Sequence, residues 1–252
     1  MPGNSIIAMI PARFAATRFP GKLMHLLGNK PVILHTYDNT VATGLFDDVI
    51  VVTDSDIIYN EIISHGGKAM MSKRVHNSGS DRIAEAIENM DVDVIVNVQG
   101  DEPFQQKEPL QKLLALFNDQ SVQVASMMRK ISAEEIKDPN SVKVVVDNQN
   151  YADDFARRIP YEANPGLTGY SFHSHKIETA TYFLHIGVYA YRKEALLAFT
   201  KCNPSDLEQS KKLEQLRFRE LGYKIKMVET DYNNIAIDTP EDLERAIHIL
   251  NR

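Results

Sequence analysis

Arg13, Arg18 and Lys22 share one short loop, Ile10-Pro11-Ala12-Arg13-Phe14-Ala15-Ala16-Thr17-Arg18-Phe19-Pro20-Gly21-Lys22, directly after an apolar run from Ile6 to Ile10. The run reads as a buried strand, and Pro11, Pro20 and Gly21 stop the loop from continuing as strand or helix. Cations fixed at a strand end suit a polyphosphate, because Arg offers planar bidentate contacts and Lys a compact point charge. A solvated basic loop is the plainer alternative, and neither G-x-x-x-x-G-K-[ST] nor G-x-G-x-x-G is present to decide between them. Carboxylates further along the chain add weight. Val94-Ile95-Val96-Asn97-Val98, the clearest buried strand, runs into Gln99-Gly100-Asp101-Glu102-Pro103, and Ile235-Ala236-Ile237 runs into Asp238. In doubly wound sheets ligands bind at the carboxyl ends of strands, and a carboxylate facing cations there is what a Mg²⁺–triphosphate complex requires.

Other polar groups admit two readings each. Asp54-Ser55-Asp56 resembles a D-x-D metal site, but Asp and Ser before the helical pattern Ile57 to His65 are also ordinary N-caps, the preferred reading. Arg74 to Arg82, with Ser78-Gly79-Ser80, opens an amphipathic helix on Ile83, Ala84, Ile87 and Met90. Its small residues could admit a base or sugar to backbone donors, or serve only as a cap beside a solvated Arg. His173 and His175 would share one face of an extended segment, yet no third ligand suggests zinc. Strand periodicity over Tyr182 to Tyr191 places His185, Gly187, Tyr189 and Tyr191 on one face, either a ligand-facing stripe or a core histidine among tyrosines.

The elements that must carry these groups alternate. Helices are expected at Pro31 to Thr43, Ile57 to His65, Pro109 to Phe117, Asp206 to Leu221 and after Thr239. Strands are expected at Val49 to Thr53, Lys68 to Met71, Val122 to Met128, Tyr223 to Val228 and Ile235 to Ile237. Thr239, Pro240 and Asp242 have the spacing of a capping box with Pro at the first helical position, which leaves Asp238 over. Val142 to Val146 and Tyr151 to Phe155 bracket Asp147-Asn148-Gln149-Asn150 as a hairpin. From Arg157 to Lys176 the chain reads as a polar excursion from the sheet.

This pattern predicts an α/β fold, one mostly parallel three-layer sheet on which the basic loop, Asp101 and Asp238 could converge. The 252 residues suffice for a full core, and a formal charge of −6 argues against a general nucleic-acid binder. A lone Cys202 excludes an internal disulfide. With no basic n-region at the start and no bilayer-length apolar stretch, a soluble cytoplasmic protein is expected.

The segments Pro11-Ala12-Arg13…Thr17-Arg18…Pro20-Gly21-Lys22, Asn97 to Pro103, His185-Ile186-Gly187-Val188-Tyr189, Leu213-Glu214-Gln215-Leu216-Arg217 and Asp238-Thr239-Pro240-Glu241-Asp242-Leu243-Glu244 together closely resemble the 3-deoxy-manno-octulosonate cytidylyltransferases, or CMP-Kdo synthetases. The likeness is collinear from Ile6 to the C-terminal helix. It implies a Rossmann-like nucleotidyltransferase, a single domain over 1–252 with a β-rich dimerisation insert around 148–182. The implied reaction joins CTP and Kdo into CMP-Kdo and pyrophosphate, activating the sugar for the lipopolysaccharide inner core. The resemblance also implies Mg²⁺ held by Asp101 and Asp238, and CTP contacts from Ala12, Arg13, Arg18, Lys22, Ser78, Gly79, Ser80, Gln99 and Asp101. Of these, Arg13, Lys22, Asp101 and Asp238 would be catalytic. Arg82, Gln99, His185, Tyr189, Glu214 and Gln215 would line the Kdo side, and the partner would be a second copy of the chain, with neither nucleic acid nor membrane.

The sequence departs from the family pattern at three places. Ala16 replaces the usual loop Ser, Ser80-Asp81-Arg82 replaces Thr-Glu-Arg, and the stretch Phe155 to Pro160 is one residue short. The family's sugar-binding Arg therefore falls on Arg157 or Arg158, with Arg157 favoured. Competing readings are a cytidylyltransferase for sialic acid or 8-amino-Kdo, a glycosyltransferase using Asp54-Ser55-Asp56, and a non-catalytic nucleotide-sugar binder.

Overall fold

The computed structural model describes residues 5–15, 19–76, 78–158, 182–233 and 235–251. In chain order the first elements are β1 (Ile6–Ala12), β2 (Leu26–Leu27), β3 (Lys30–Pro31), α1 (Val32–Ala42), β4 (Asp48–Thr53), α2 (Asp56–Ser64), β5 (Ala69–Met71), α3 (Gly79–Ile87), β6 (Val94–Asn97) and α4 (Lys107–Ala115). There follow β7 (Val124–Lys130), α5 (Ala133–Lys137), β8 (Lys143–Val146), β9 (Ala152–Ala156), β10 (Tyr182–Arg192) and α6 (Lys193–Thr200). The chain ends with α7 (Asp206–Lys211), α8 (Gln215–Glu220), β11 (Ile225–Glu229) and α9 (Pro240–Leu250). The chain divides into two compact units, one made of 1–111, 190–200 and 233–252 and the other of 112–189 and 201–232.

In the first unit β1 is the central strand, paired in parallel with β4 on one side and β6 on the other, and β4 pairs in parallel with β5. Ala8 to Ile10, Val51 and Val94 to Val96 are buried, the near-continuous apolar pattern of parallel strands covered on both faces. Helix α3 packs against β1 and α6. In the second unit β7 and β11 are parallel, whereas β8 pairs antiparallel with β9 and with the first half of β10. The β8–β9 hairpin turns as its sequence directs: Asp147 Oδ1 accepts from the amides of Gln149 and Tyr151, each at 2.8 Å, and Asn150 takes a left-handed φ of 59°. No helix among the described residues is long and apolar enough to cross a membrane.

Two expected elements differ. The helix expected over Asp206 to Leu221 is broken into α7 and α8 at Lys212, whose φ of 53° is left-handed and cannot continue a helix. Ile235 to Ile237 forms no strand; instead the Ile237 amide donates to the Asp101 carbonyl at 2.9 Å. Two short helices, α5, separated from β7 by two residues, and α6, directly after β10, are not evident from periodicity. The insert around 148–182 is described only to residue 158 and at 182, so its dimerisation role lies outside the described residues, as do Arg18, Ala16, His173 and His175.

Candidate active site

Within the first unit the basic loop, the turn after β6 and the turn before α9 meet. Gly21 takes a φ of 65°, and its amide donates to the Phe14 carbonyl at 3.2 Å, closing the loop so that Lys22 begins a short 3₁₀ turn. The Lys22 Nζ donates to Asp101 Oδ2 and, at 2.8 Å, to Asp238 Oδ1. Burial works against this ammonium, but the Asp101 and Asp238 carboxylates outweigh it and hold its pKa above the ordinary lysine value.

Each carboxylate is mounted by local structure. The Asp101 turn is held from α1, where Thr36 Oγ1 donates to the Gly100 carbonyl at 2.9 Å and Asn39 Nδ2 to the Pro103 carbonyl at 2.6 Å. Gly100 fits because a Cβ there would stand 3.2 Å from the Pro11 carbonyl oxygen and from Ile33. Asp238 precedes the capping box of α9: Thr239 Oγ1 accepts from the Asp242 amide, and Asp242 Oδ2 accepts from the amides of Asp238 and Thr239 at 3.0 and 2.8 Å.

Ser78 is the N-cap of α3, its Oγ accepting from the Asp81 amide at 3.1 Å, with Gly79 packed on Pro11 and Ser80 buried. Arg82 is not a solvated cation: it is buried, donating to the Ala12 carbonyl at 3.0 Å and to Asp54 Oδ2 at 2.6 Å. The Arg82 hydrogen bond draws the Asp54 carboxyl below its usual range despite partial burial. Asp54 thus ties the ends of β1 and β4 to α3 as an ion-pair partner, while Ser55 holds the N-cap position of α2 without a side-chain cap bond. Arg13 is exposed just past β1, and Gln99 Nε2 donates to Asn97 Oδ1 at 3.2 Å.

The second unit holds the other expected contacts. His185 and Tyr189 lie along β10 with ring centroids 5.3 Å apart, and the Phe155 ring meets His185 edge-on at 5.2 Å. Arg157 donates to the carbonyls of Asn140 at 3.0 Å and Lys212 at 3.4 Å, bracing the junction of α7 and α8; Arg158 is exposed. Glu214 and the buried Gln215 stand at the start of α8, immediately after that junction. The last residue of the Leu213-Glu214-Gln215-Leu216-Arg217 run has a different task. Arg217 is buried and binds Glu208 through both Nε and Nη2, at 2.6 and 2.7 Å, and the Cys202 carbonyl through Nη1 at 2.9 Å. Glu208, nine positions before Arg217 and outside the motif, offers no local sequence signal of this pair.

Burial pushes the His185 imidazole down to about 3, so it is neutral across the physiological range. A folded-state pKa below the unfolded value of about 6.5 gives stability that is complete above pH 6.5 and lost as pH falls toward 3. At pH 5 the loss from this residue should reach about 2 kcal/mol. Urea unfolding at pH 7 and pH 5 is expected to show it, and His185→Gln should flatten that limb; an unchanged limb would mean that His185 does not carry it.

A parallel sheet with a lysine-bridged pair of aspartates and a basic loop at strand ends has the make-up of a metal–nucleotide site in an α/β protein. The model of the Cytidylyltransferase family matches residues 7–226. The chain is 55% identical to the 3-deoxy-manno-octulosonate cytidylyltransferase of Flavobacterium johnsoniae, covering 96% of each, and 47% identical to that of Christiangramia forsetii, covering 98% of each. It matches the solved structure of a CMP:2-keto-3-deoxy-manno-octonic acid synthetase complexed with CTP with a TM-score of 0.86 at 32% identity, covering 98% of both chains. The chain belongs to the 3-deoxy-manno-octulosonate cytidylyltransferase family.

Proposed function

We propose that this protein transfers CMP from CTP to Kdo and releases pyrophosphate, the sugar's anomeric hydroxyl attacking the α-phosphate in line. The observation that carries the reading is the convergence of Asp101 and Asp238 on one cation, Lys22 Nζ. Carboxylate oxygens close enough to share an ammonium are close enough to share a metal ion. No group of three or more His, Cys, Asp or Glu side chains among the described residues could hold a metal, so phosphate oxygens would complete the set. That donor set, few carboxylates and hard oxygens throughout, suits Mg²⁺. When bound, Mg²⁺ supplies charge neutralisation and lowers the pKa of a coordinated hydroxyl.

The residues of the chain do the rest. Arg13, Arg18 and Lys22 offset charge on the triphosphate and on the leaving pyrophosphate. Ser78, Gly79 and Ser80 seat the cytidine, with Ala12 and Gln99 beside the nucleotide. Gln99, His185, Tyr189, Glu214, Gln215 and Arg157 select the sugar. Arg82 also belongs to the sugar side in this reading, and its pair with Asp54 supports a positioning role for it. The same reading makes the chain a cytoplasmic homodimer that activates Kdo for lipopolysaccharide.

Pyrophosphate release by the purified protein with Mg²⁺ and CTP tests the reading, with Kdo, sialic acid and 8-amino-Kdo supplied separately. Release with Kdo supports it. Release with another sugar alone keeps the cytidylyltransferase and replaces the acceptor; no release with any of them favours a binding protein.

A further inference from the structure

We propose that Ser126 is a positioning residue for His185: it fixes the imidazole proton on Nε2, so that Nδ1 is presented to the sugar as a hydrogen-bond acceptor. The inference rests on the reading of His185 as a sugar-side residue.

Ser126 lies on β7 with none of its surface exposed. Its Oγ is 2.9 Å from the Val188 carbonyl oxygen, 3.1 Å from the Ile186 carbonyl oxygen and 3.0 Å from His185 Nε2. A hydroxyl has one proton to give. If that proton went to Nε2, Oγ would be pressed against two carbonyl oxygens with no hydrogen between them, in a buried place where the loss is largest. The proton therefore serves the carbonyls, the Oγ lone pairs face the ring, and Nε2 must be the donor.

Burial keeps the ring neutral, so a proton on Nε2 leaves Nδ1 with its lone pair. The Phe155 edge and the Tyr189 ring fix the imidazole plane, and Nδ1 has no hydrogen-bond partner among the described residues. An acceptor nitrogen attracts a hydroxyl or an ammonium and repels a carboxylate, which has only lone pairs to offer. His185 thus reads a donor-bearing carbon of the sugar and not its acid group, which must be met by donors elsewhere.

The test needs ¹⁵N-labelled protein, with the His185 resonances assigned by their loss in His185→Gln. The wild type is expected to show an Nε2–H imidazole, and Ser126→Ala a mixture of tautomers with KM for Kdo raised about tenfold while KM for CTP is unchanged. Ser126→Thr keeps the hydroxyl and should restore both. An Nδ1–H tautomer in the wild type, or a tautomer indifferent to Ser126→Ala, overturns the proposal; so does a disturbed tautomer with an unchanged KM for Kdo. The tautomer is read without substrate. A protein that keeps Nε2–H yet releases no pyrophosphate with Kdo therefore overturns the proposed function and the sugar role together, not the Ser126–His185 geometry.

Discussion

Asp101→Asn is expected to lower kcat by about a hundredfold or more while KM for CTP stays within about threefold. The amide keeps the shape of the side chain, and the turn that carries it is held by Thr36, Asn39 and the Ile237 amide, none of which touches the carboxylate. What the substitution removes is a negative charge opposite Lys22 and Asp238. Charge of that kind matters most where charge is redistributed, in the transition state, and least in ground-state binding of CTP by the basic loop. Steady-state rates over a Mg²⁺ titration check this, with near-ultraviolet circular dichroism as the control for folding. Normal turnover at saturating Mg²⁺ would remove Asp101 from the catalytic machinery.

The largest effect on stability is expected at the Arg217–Glu208 pair. Arg217 is 4% exposed and Glu208 9%, and each of the three guanidinium nitrogens donates, two to the carboxylate and one to the Cys202 carbonyl. Removing either partner leaves a buried charge without its counter-charge, at a cost of about 3–5 kcal/mol. Arg217→Met and Glu208→Leu should each lower the urea midpoint by that equivalent, whereas the double variant should recover most of the loss. Equilibrium unfolding of the three variants decides it: single variants within about 1 kcal/mol of the wild type would show that relaxation or water replaces the pair.

How much of this was legible depended on the range of the interaction. β1, β4 and β6 announce themselves because a strand covered on both faces needs an unbroken apolar run, which is a local property. The α9 cap was equally plain, since Thr239, Pro240 and Asp242 make their bonds among themselves. The convergence of Lys22, Asp101 and Asp238 was legible only as three strand-end groups that a parallel sheet could collect. Arg82 stayed open between a solvated and a ligand-side reading because Asp54 and Ala12 reach it from the ends of β4 and β1, far off in sequence. Ser126 gave no signal, being one small polar residue in an apolar strand whose partners lie on β10. The break at Lys212 was hidden because a lysine, where glycine or asparagine is usual, adopts the left-handed conformation.

The cap of α9 also bears on how such chains can diverge. Asp242 binds the amides of both Asp238 and Thr239, so the location of Asp238 is set chiefly by the helix that follows it, helped by the Ile237–Asp101 backbone bond, and needs no strand from Ile235 to Ile237. The Asp-Thr-Pro-Glu-Asp stretch is therefore a transplantable cassette, a helix start that brings its own carboxylate to the site.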